Sequence, residues 1–288
     1  MSVGAAIDRV RQRVRWGLRV QGCLIRIGFV RKSQFRWEFL NQVIMDLLFY
    51  VSFILTFDIL YGLEGTGEAG AAVSGALTLG GWTHAEMRVY LGMVFLADAV
   101  IMTFLGQNWH FGEDLKNGNL DSFRVRPGGT AYLYFFQRFS PEGLTNMLMG
   151  AGWLVFALMG VMPQQVDWLH LAWALPCALV VIAWSQVFLV LSYNLCELWL
   201  LNSDLGHLAG MFASSFGERP LDVYPKGLAR FMIFVVPVAG IAWFPASLLL
   251  GRLDVAFALL YPLVLVAFAA VVLRLFRIGM RRYESALG

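Results

Sequence analysis

Long apolar runs separated by short polar segments organise the chain. A helix that crosses a bilayer needs roughly 20 mostly apolar residues. Six stretches meet that length: about Phe39–Leu60, Val89–Leu105, Leu144–Met162, Leu169–Tyr193, Phe231–Leu250 and Val255–Leu273. Only the four residues 251–254 (GRLD) separate the last two, which therefore read as a tight hairpin. Two further segments carry helical periodicity without that length. In IDRVRQRVRWGLRVQG, Ile7, Val10, Val14 and Leu18 recur at helical spacing with arginines on the other faces. This is the pattern of an amphipathic helix lying in a membrane interface. Between the fourth and fifth runs, Leu198, Leu201, Leu205, Leu208 and Phe212 share one helical face. Its polar content reads as an extension of the fourth span or a helix lying on the membrane, not as a further span.

Composition agrees with the pattern. The chain is 59% hydrophobic and 14% charged, where a soluble domain carries about 25% charged residues. The expected fold class is an all-α membrane protein with six transmembrane helices. Residues 1–36 form a basic amphipathic segment, 37–277 the six-helix domain and 278–288 a tail.

An even number of spans puts both termini on one side, and the distribution of cations decides which side. Nine Lys/Arg precede the first span, between Arg9 and Arg36. Lys116, Arg124, Arg126 and Arg138 follow the second span; Arg219, Lys226 and Arg230 follow the fourth; Arg274, Arg277, Arg281 and Arg282 close the chain. On this topology 20 of the 22 cations share a face, and only Arg88 and Arg252 oppose them. That face, with both termini, is expected to be cytoplasmic. The Gly/Ala-rich, acidic loop over 62–84 is expected outside.

Candidate chemistry is sparse. The three cysteines and four histidines are scattered, with no metal-ligand or CxxC spacing. No phosphate-binding loop, HExxH or GxSxG is present. The arginine-rich start of the chain does not have the pattern of a cleaved signal peptide. Asp46, Asp58 and Asp98 lie inside expected spans, where acids are costly and face a bundle interior or water. Asp98, at mid-span, together with Asp46 and Gln186, is a candidate for a transport path or for helix packing. Nothing in the sequence marks nucleic-acid binding or a bound cofactor.

NGNLDSFRVRPGGTAYLY, between the second and third spans, is turn-rich and basic, unlike either neighbour. NGNLDSFRVRP resembles the Gly-x-Leu-Asp-x-x-Leu-x-Arg-Pro loop of ABC-2-type transporter permeases. These are bacterial membrane subunits that are often paired and work with a separate ATPase. RKSQFRWEFL before the first span, ERPLDVYP before the fifth and VPVAGIAWFPASLLLG in the last hairpin resemble that family in the same order. Phe123 and Arg124 depart from the more aliphatic family pattern.

The resemblance implies a multi-pass protein of the bacterial cytoplasmic (inner) membrane. It would be the permease of an ATP-driven exporter, not itself an enzyme. Its partners would be a dimeric ABC ATPase holding ATP and Mg, a second permease subunit, identical or related, and membrane lipids. It further implies that a short coupling helix within His110–Pro127 docks on the ATPase. There Glu113, Asp114, Lys116, Asp121, Arg124 and Arg126 would offer polar contacts, with Leu115 and Leu120 as apolar anchors. Glu218, Arg219 and Asp222 would form a lesser contact on the same cytoplasmic face. The readings from other classes are a membrane-embedded lipid-modifying enzyme and a membrane scaffold.

Overall fold

The computed structural model describes residues 3–34, 36–63, 80–126, 129–162, 166–200 and 203–283. Among them every regular element is helical. Five helices are long and apolar enough to cross a membrane: α2 (Arg36–Leu63), α3 (His84–Phe104), α7 (Pro141–Val161), α8 (Trp168–Leu200) and α12 (Val255–Arg282). They contain five of the six expected spans. The other helices are α1 (Val3–Ser33), α4 (Phe111–Lys116), α5 (Asp121–Arg124), α6 (Thr130–Phe135), α9 (Ser203–Gly217), α10 (Lys226–Phe234) and α11 (Trp243–Leu249). Most of the expected 62–84 loop lies outside the described residues.

Helix α3 is the axis of the fold, with the largest buried share of the five long helices. Its start, five residues before the expected span, is set by a capping box. The Glu86 carboxylate accepts from the Thr83 amide at 2.8 Å, and the Thr83 hydroxyl accepts from the Glu86 amide at 3.4 Å. Small residues let α3 and α7 approach closely. A Cβ on Gly92 would meet Leu154, and one on Gly150 would meet Leu96, each within 3.3 Å. Helix α2 is the least buried of the five. It is held by the rings of Tyr50 and Phe95, 4.5 Å apart, and by Asp58, which pairs with His84 at 2.6 Å and Arg88 at 3.1 Å. Asp58 is therefore engaged with α3 and does not simply reach out to water.

The chain has two ends. The loop end carries residues 106–140 and the C-termini of α3, α8 and α12. The far end carries the start of α3 and the turn between α11 and α12. Helix α1 is a single 31-residue helix at the loop end, where the Tyr132 hydroxyl donates to the Gly17 carbonyl at 3.1 Å and Phe29 meets Phe139. The side chains of Ile7, Val10 and Val14 lie outside the described residues; Leu18 is exposed.

Two expectations are corrected here. The stretch 231–250 is not one helix. Helix α10 stops at Phe234, a 3-10 turn spans Val238–Gly240, and α11 runs back to the far end. Pro237 cannot donate a backbone hydrogen bond, and its carbonyl is satisfied by the Tyr261 hydroxyl at 3.2 Å. Gly240 sits where a side chain would collide with Ser185 and the Tyr261 hydroxyl. A hydropathy window reads the apolarity of this stretch but not its break.

The second correction concerns 203–217. Helix α9 folds back antiparallel to α8. Gly206 packs on Glu197 and Gly210 on Tyr193 near the loop end, whereas Gly217 packs on Ile241. The Tyr90 hydroxyl donates to the Gly217 and Arg219 carbonyls at 2.7 and 2.8 Å. The Asp222 carboxylate accepts from the indoles of Trp82 (2.8 Å) and Trp243 (2.7 Å). Trp82 precedes α3 and the 106–126 loop follows it, so the two are separated by a 21-residue helix of roughly 30 Å. Asp222 therefore sits at the far end, the Arg219 carbonyl lies beside Tyr90, and Glu218 faces inward toward Asp98; none of the three is on the face of that loop. Arg219, Lys226 and Arg230 follow, which takes three of the twenty cations to the opposite end. The leucine stripe misled because Leu205, Leu208 and Phe212 point outward, while Gly206, Gly210, Ala213 and Gly217 pack inward.

The reversed direction of α9 is open to a labelling test. With Cys23, Cys177 and Cys196 replaced by serine, Asn117→Cys and Lys226→Cys should react with an impermeant maleimide from opposite sides of sealed vesicles. Labelling of both from one side would restore the original topology. Asp222→Ala strips the acceptor from two indoles, one of them on the buried Trp82. It should cost about 1–3 kcal/mol, seen as a lower thermal unfolding temperature, with Asp222→Asn milder.

Candidate functional site

The segment after α3 is a packed module rather than a linker. A 3-10 turn (Gly106–His110) leads into α4, then a tight turn, α5 and α6. Gly118 makes that turn with φ 72°, a left-handed conformation that favours glycine. The Asp114 carboxylate is the polar hub. It accepts from the Tyr134 hydroxyl at 2.6 Å, from Asn119 Nδ2 at 2.8 Å and from Gln107 Nε2 at 3.1 Å. Burial, and then the bond to Asp114, push the Tyr134 hydroxyl well above its ordinary pKa, so it remains a donor at every physiological pH.

The apolar side of the module packs into the body of the chain. Phe111 is buried against Tyr134, Phe135 and Phe276. Leu115 (2% exposed) and Leu120 (0%) join the same cluster, with Leu195 and Leu198 of α8 and Val272 of α12. The Tyr283 hydroxyl donates to the Leu115 carbonyl at 3.2 Å, and Arg124 lies over the Tyr283 ring. The module is thereby fastened to α3, α8 and the end of α12.

This placement sorts the site residues expected from the sequence. Leu115 and Leu120 are core residues of this chain, so they offer a partner no anchor. Apolar residues three to five apart on a short helix look alike in sequence whether they face a partner or their own core. Glu113, Lys116, Arg124 and Arg126 are exposed, Asp121 is half-exposed, and Asp114 is engaged in the internal network. Phe123, where the family pattern is more aliphatic, is buried beside Tyr134 with the Arg126 guanidinium over its ring at 4.9 Å. The residue missed from sequence is Val125. It is 84% exposed and flanked by the two arginines, and an apolar side chain between charges was the available signal. Pro127 lies outside the described residues.

A second feature is a cleft of about 580 Å³ between α3, α8 and α9. It begins beside the module at Trp109 and Glu113 and reaches inward to Asp98 and Glu218. A narrower apolar chamber continues from it, lined by Phe49, Tyr50, Phe53 and Phe95 and holding Gln186. The structure thus brings Asp98, Gln186 and Glu218 to one path. Asp46 is not among those lining residues; it accepts from Gln42 along α2 at 3.0 Å and lines a separate polar pocket near the loop end. Among the described residues no group of His, Cys, Asp or Glu is arranged to hold a metal ion.

A family model described as "ABC-2 family transporter protein" matches residues 72–286 of the chain. No curated protein matches. No solved structure matches.

Removing the hub should loosen the module. Asp114→Ala deletes three hydrogen bonds and leaves the Tyr134 hydroxyl without its acceptor, costing the module about 1–3 kcal/mol. The expected readout is faster amide exchange over 106–135, with exchange in α7 unchanged. Unaltered exchange in the module would show that the apolar cluster alone holds it.

Proposed function

The chain belongs to the ABC-2 transporter family, and we propose that it is the transmembrane permease half of an ATP-driven exporter in the bacterial cytoplasmic membrane. The observation that carries this reading is the module at 106–126: a folded unit, charged on its exposed side and fastened to three of the long helices. A transport subunit that draws its energy from another protein needs such a part. Binding and hydrolysis of ATP with Mg belong to a separate dimeric ABC ATPase. This chain supplies the surface on which the ATPase pushes.

In this reading the chain crosses the membrane six times, through α2, α3, α7, α8, α9 and α12. Helices α10 and α11 dip in from the far end and return. The loop end and both termini are cytoplasmic, and α1 lies along the lipid surface there. A second permease, identical or related, covers the exposed faces of the long helices and completes the path.

The mechanics follow from the attachments. A push on Val125, Arg124 and Arg126 cannot be absorbed within the module, because Asp114 and the Phe111 cluster make it stiff. It passes instead to the ends of α3, α8 and α12. The cleft is open toward the loop end, while the far end is closed by Tyr90 on the Gly217 and Arg219 carbonyls and by Arg252 on Glu86 and the Gly81 carbonyl. Tilting α3 against α9 exchanges these two conditions, which is alternating access. Arg219 and Asp222 belong to the far-end closure, Glu218 lines the cleft, and none of the three takes part in docking.

Val125→Asp combined with Arg126→Glu tests the docking surface without touching the core. Interface positions of this kind cost about 2 kcal/mol or more on disruption. Recovery of the ATPase with tagged permease should therefore fall at least about tenfold, while the permease stays monodisperse. Undiminished recovery would move the docking site elsewhere. Absence of any P-loop ATPase from the wild-type preparation would sink the exporter reading itself.

A further inference from the structure

Resting on the permease reading, we propose that the cleft between α3, α8 and α9 is a binding site for a lipophilic organic cation, and that this is the class of cargo. Its lining contains five carboxylates, Asp98, Glu113, Glu197, Asp204 and Glu218, and neither Lys nor Arg. An anionic cargo would meet only repulsion on this path. The volume, about 580 Å³, falls within the range that encloses small organic molecules.

Two buried polar groups on this path point to a ligand, one of them, Tyr50, independently of the acid count. Glu197 is 6% exposed, and its Oε2 has no hydrogen-bond partner among the described residues, although the Gly112 amide serves the same carboxylate. Tyr50 is 4% exposed and lines the inner chamber; its hydroxyl has no partner there either. Buried polar groups in a native fold are otherwise nearly always satisfied. A carboxylate oxygen and a phenol oxygen are both acceptors, and a cationic N–H or the polarised C–H of a quaternary ammonium satisfies them.

Two further observations separate an organic cation from a metal ion. The carboxylates are spread along the cleft, and none of the described acids converge in a metal-binding group. The wall also carries uncharged polar groups, among them Asn108, Asn194 and Ser214, and its aromatic and thioether part is Trp109, Tyr193, Met102 and Met211, then Phe49, Phe53 and Phe95 in the chamber. Aromatic faces attract desolvated cations, and Trp does so best. Trp109 is held edge-on by His207 at 5.5 Å, which fixes one face of the ring. Lys116 and Arg219 are the neighbouring cations, acting on Glu197 and Glu218 respectively, and neither lines the cleft.

The test is a binding titration on the purified full chain in lipid nanodiscs with three dyes: ethidium as cation, fluorescein as anion and Nile red as uncharged control. Ethidium should bind saturably. Glu197→Gln and Asp98→Asn should each weaken it about tenfold, and the pair more, with Nile red uptake unchanged. Asp98→Glu, which keeps the charge, should restore most of the affinity. Asp204→Asn serves as a further lining variant should Glu197→Gln disturb the packing on Gly206. Ethidium binding indifferent to all of these, or fluorescein binding as tightly as ethidium, would overturn the proposal. Either result leaves the permease reading standing if the ATPase still co-purifies, and loss of that association would instead count against the permease reading.

Discussion

One carboxylate decides how the chain is threaded. Asp222 accepts from the indoles of Trp82 and Trp243, and so pins together the start of α3, the turn after α9 and the start of α11. Beside it the Tyr90 hydroxyl caps the two carbonyls at the end of α9. With those three segments joined, α9 has no choice but to run the length of the body, and 226–249 has no choice but to enter and leave from the same end. Asp222 itself is exposed, but Trp82 and Tyr90 are buried, and a buried donor that loses its acceptor finds no water to replace it.

The threading has two functional consequences. It places glycine-faced α9 against α8, and the gap left beside α3 becomes the acidic cleft. It also separates the two groups of charges that the sequence pattern assigned to one cytoplasmic face. The module at 106–126 and the contacts around Asp222 sit at opposite ends of α3, so a single helix links them. In the permease reading that is the lever.

The module shows how a loop can be stiff without being long. Its helices are only four to six residues, too short to be stable alone. They hold because Phe111, Leu115, Leu120 and Phe123 bury themselves beside Tyr134 and Phe276, and because Asp114 collects the polar groups on the other side. The same burial removes the leucines from any docking role and leaves Val125 and its arginines at the surface.

The sequence by itself determined the class and most of the layout. Long apolar runs cannot be solvated, so α2, α3, α7, α8 and α12 were legible as spans. A turn-rich basic segment in such a chain had to leave the apolar body, and its motif carried the family resemblance. Only the tertiary structure decided the rest. Window hydropathy sums residue preferences and is blind to backbone continuity, so the break at Pro237 and Gly240 stayed hidden behind apolar neighbours. It also counts glycine and serine as indifferent, so the inward packing of α9 on α8 through small residues stayed hidden. Which leucines face inward, and which acids meet in one cleft, depends on contacts between segments as much as 168 residues apart. No local pattern encodes those contacts.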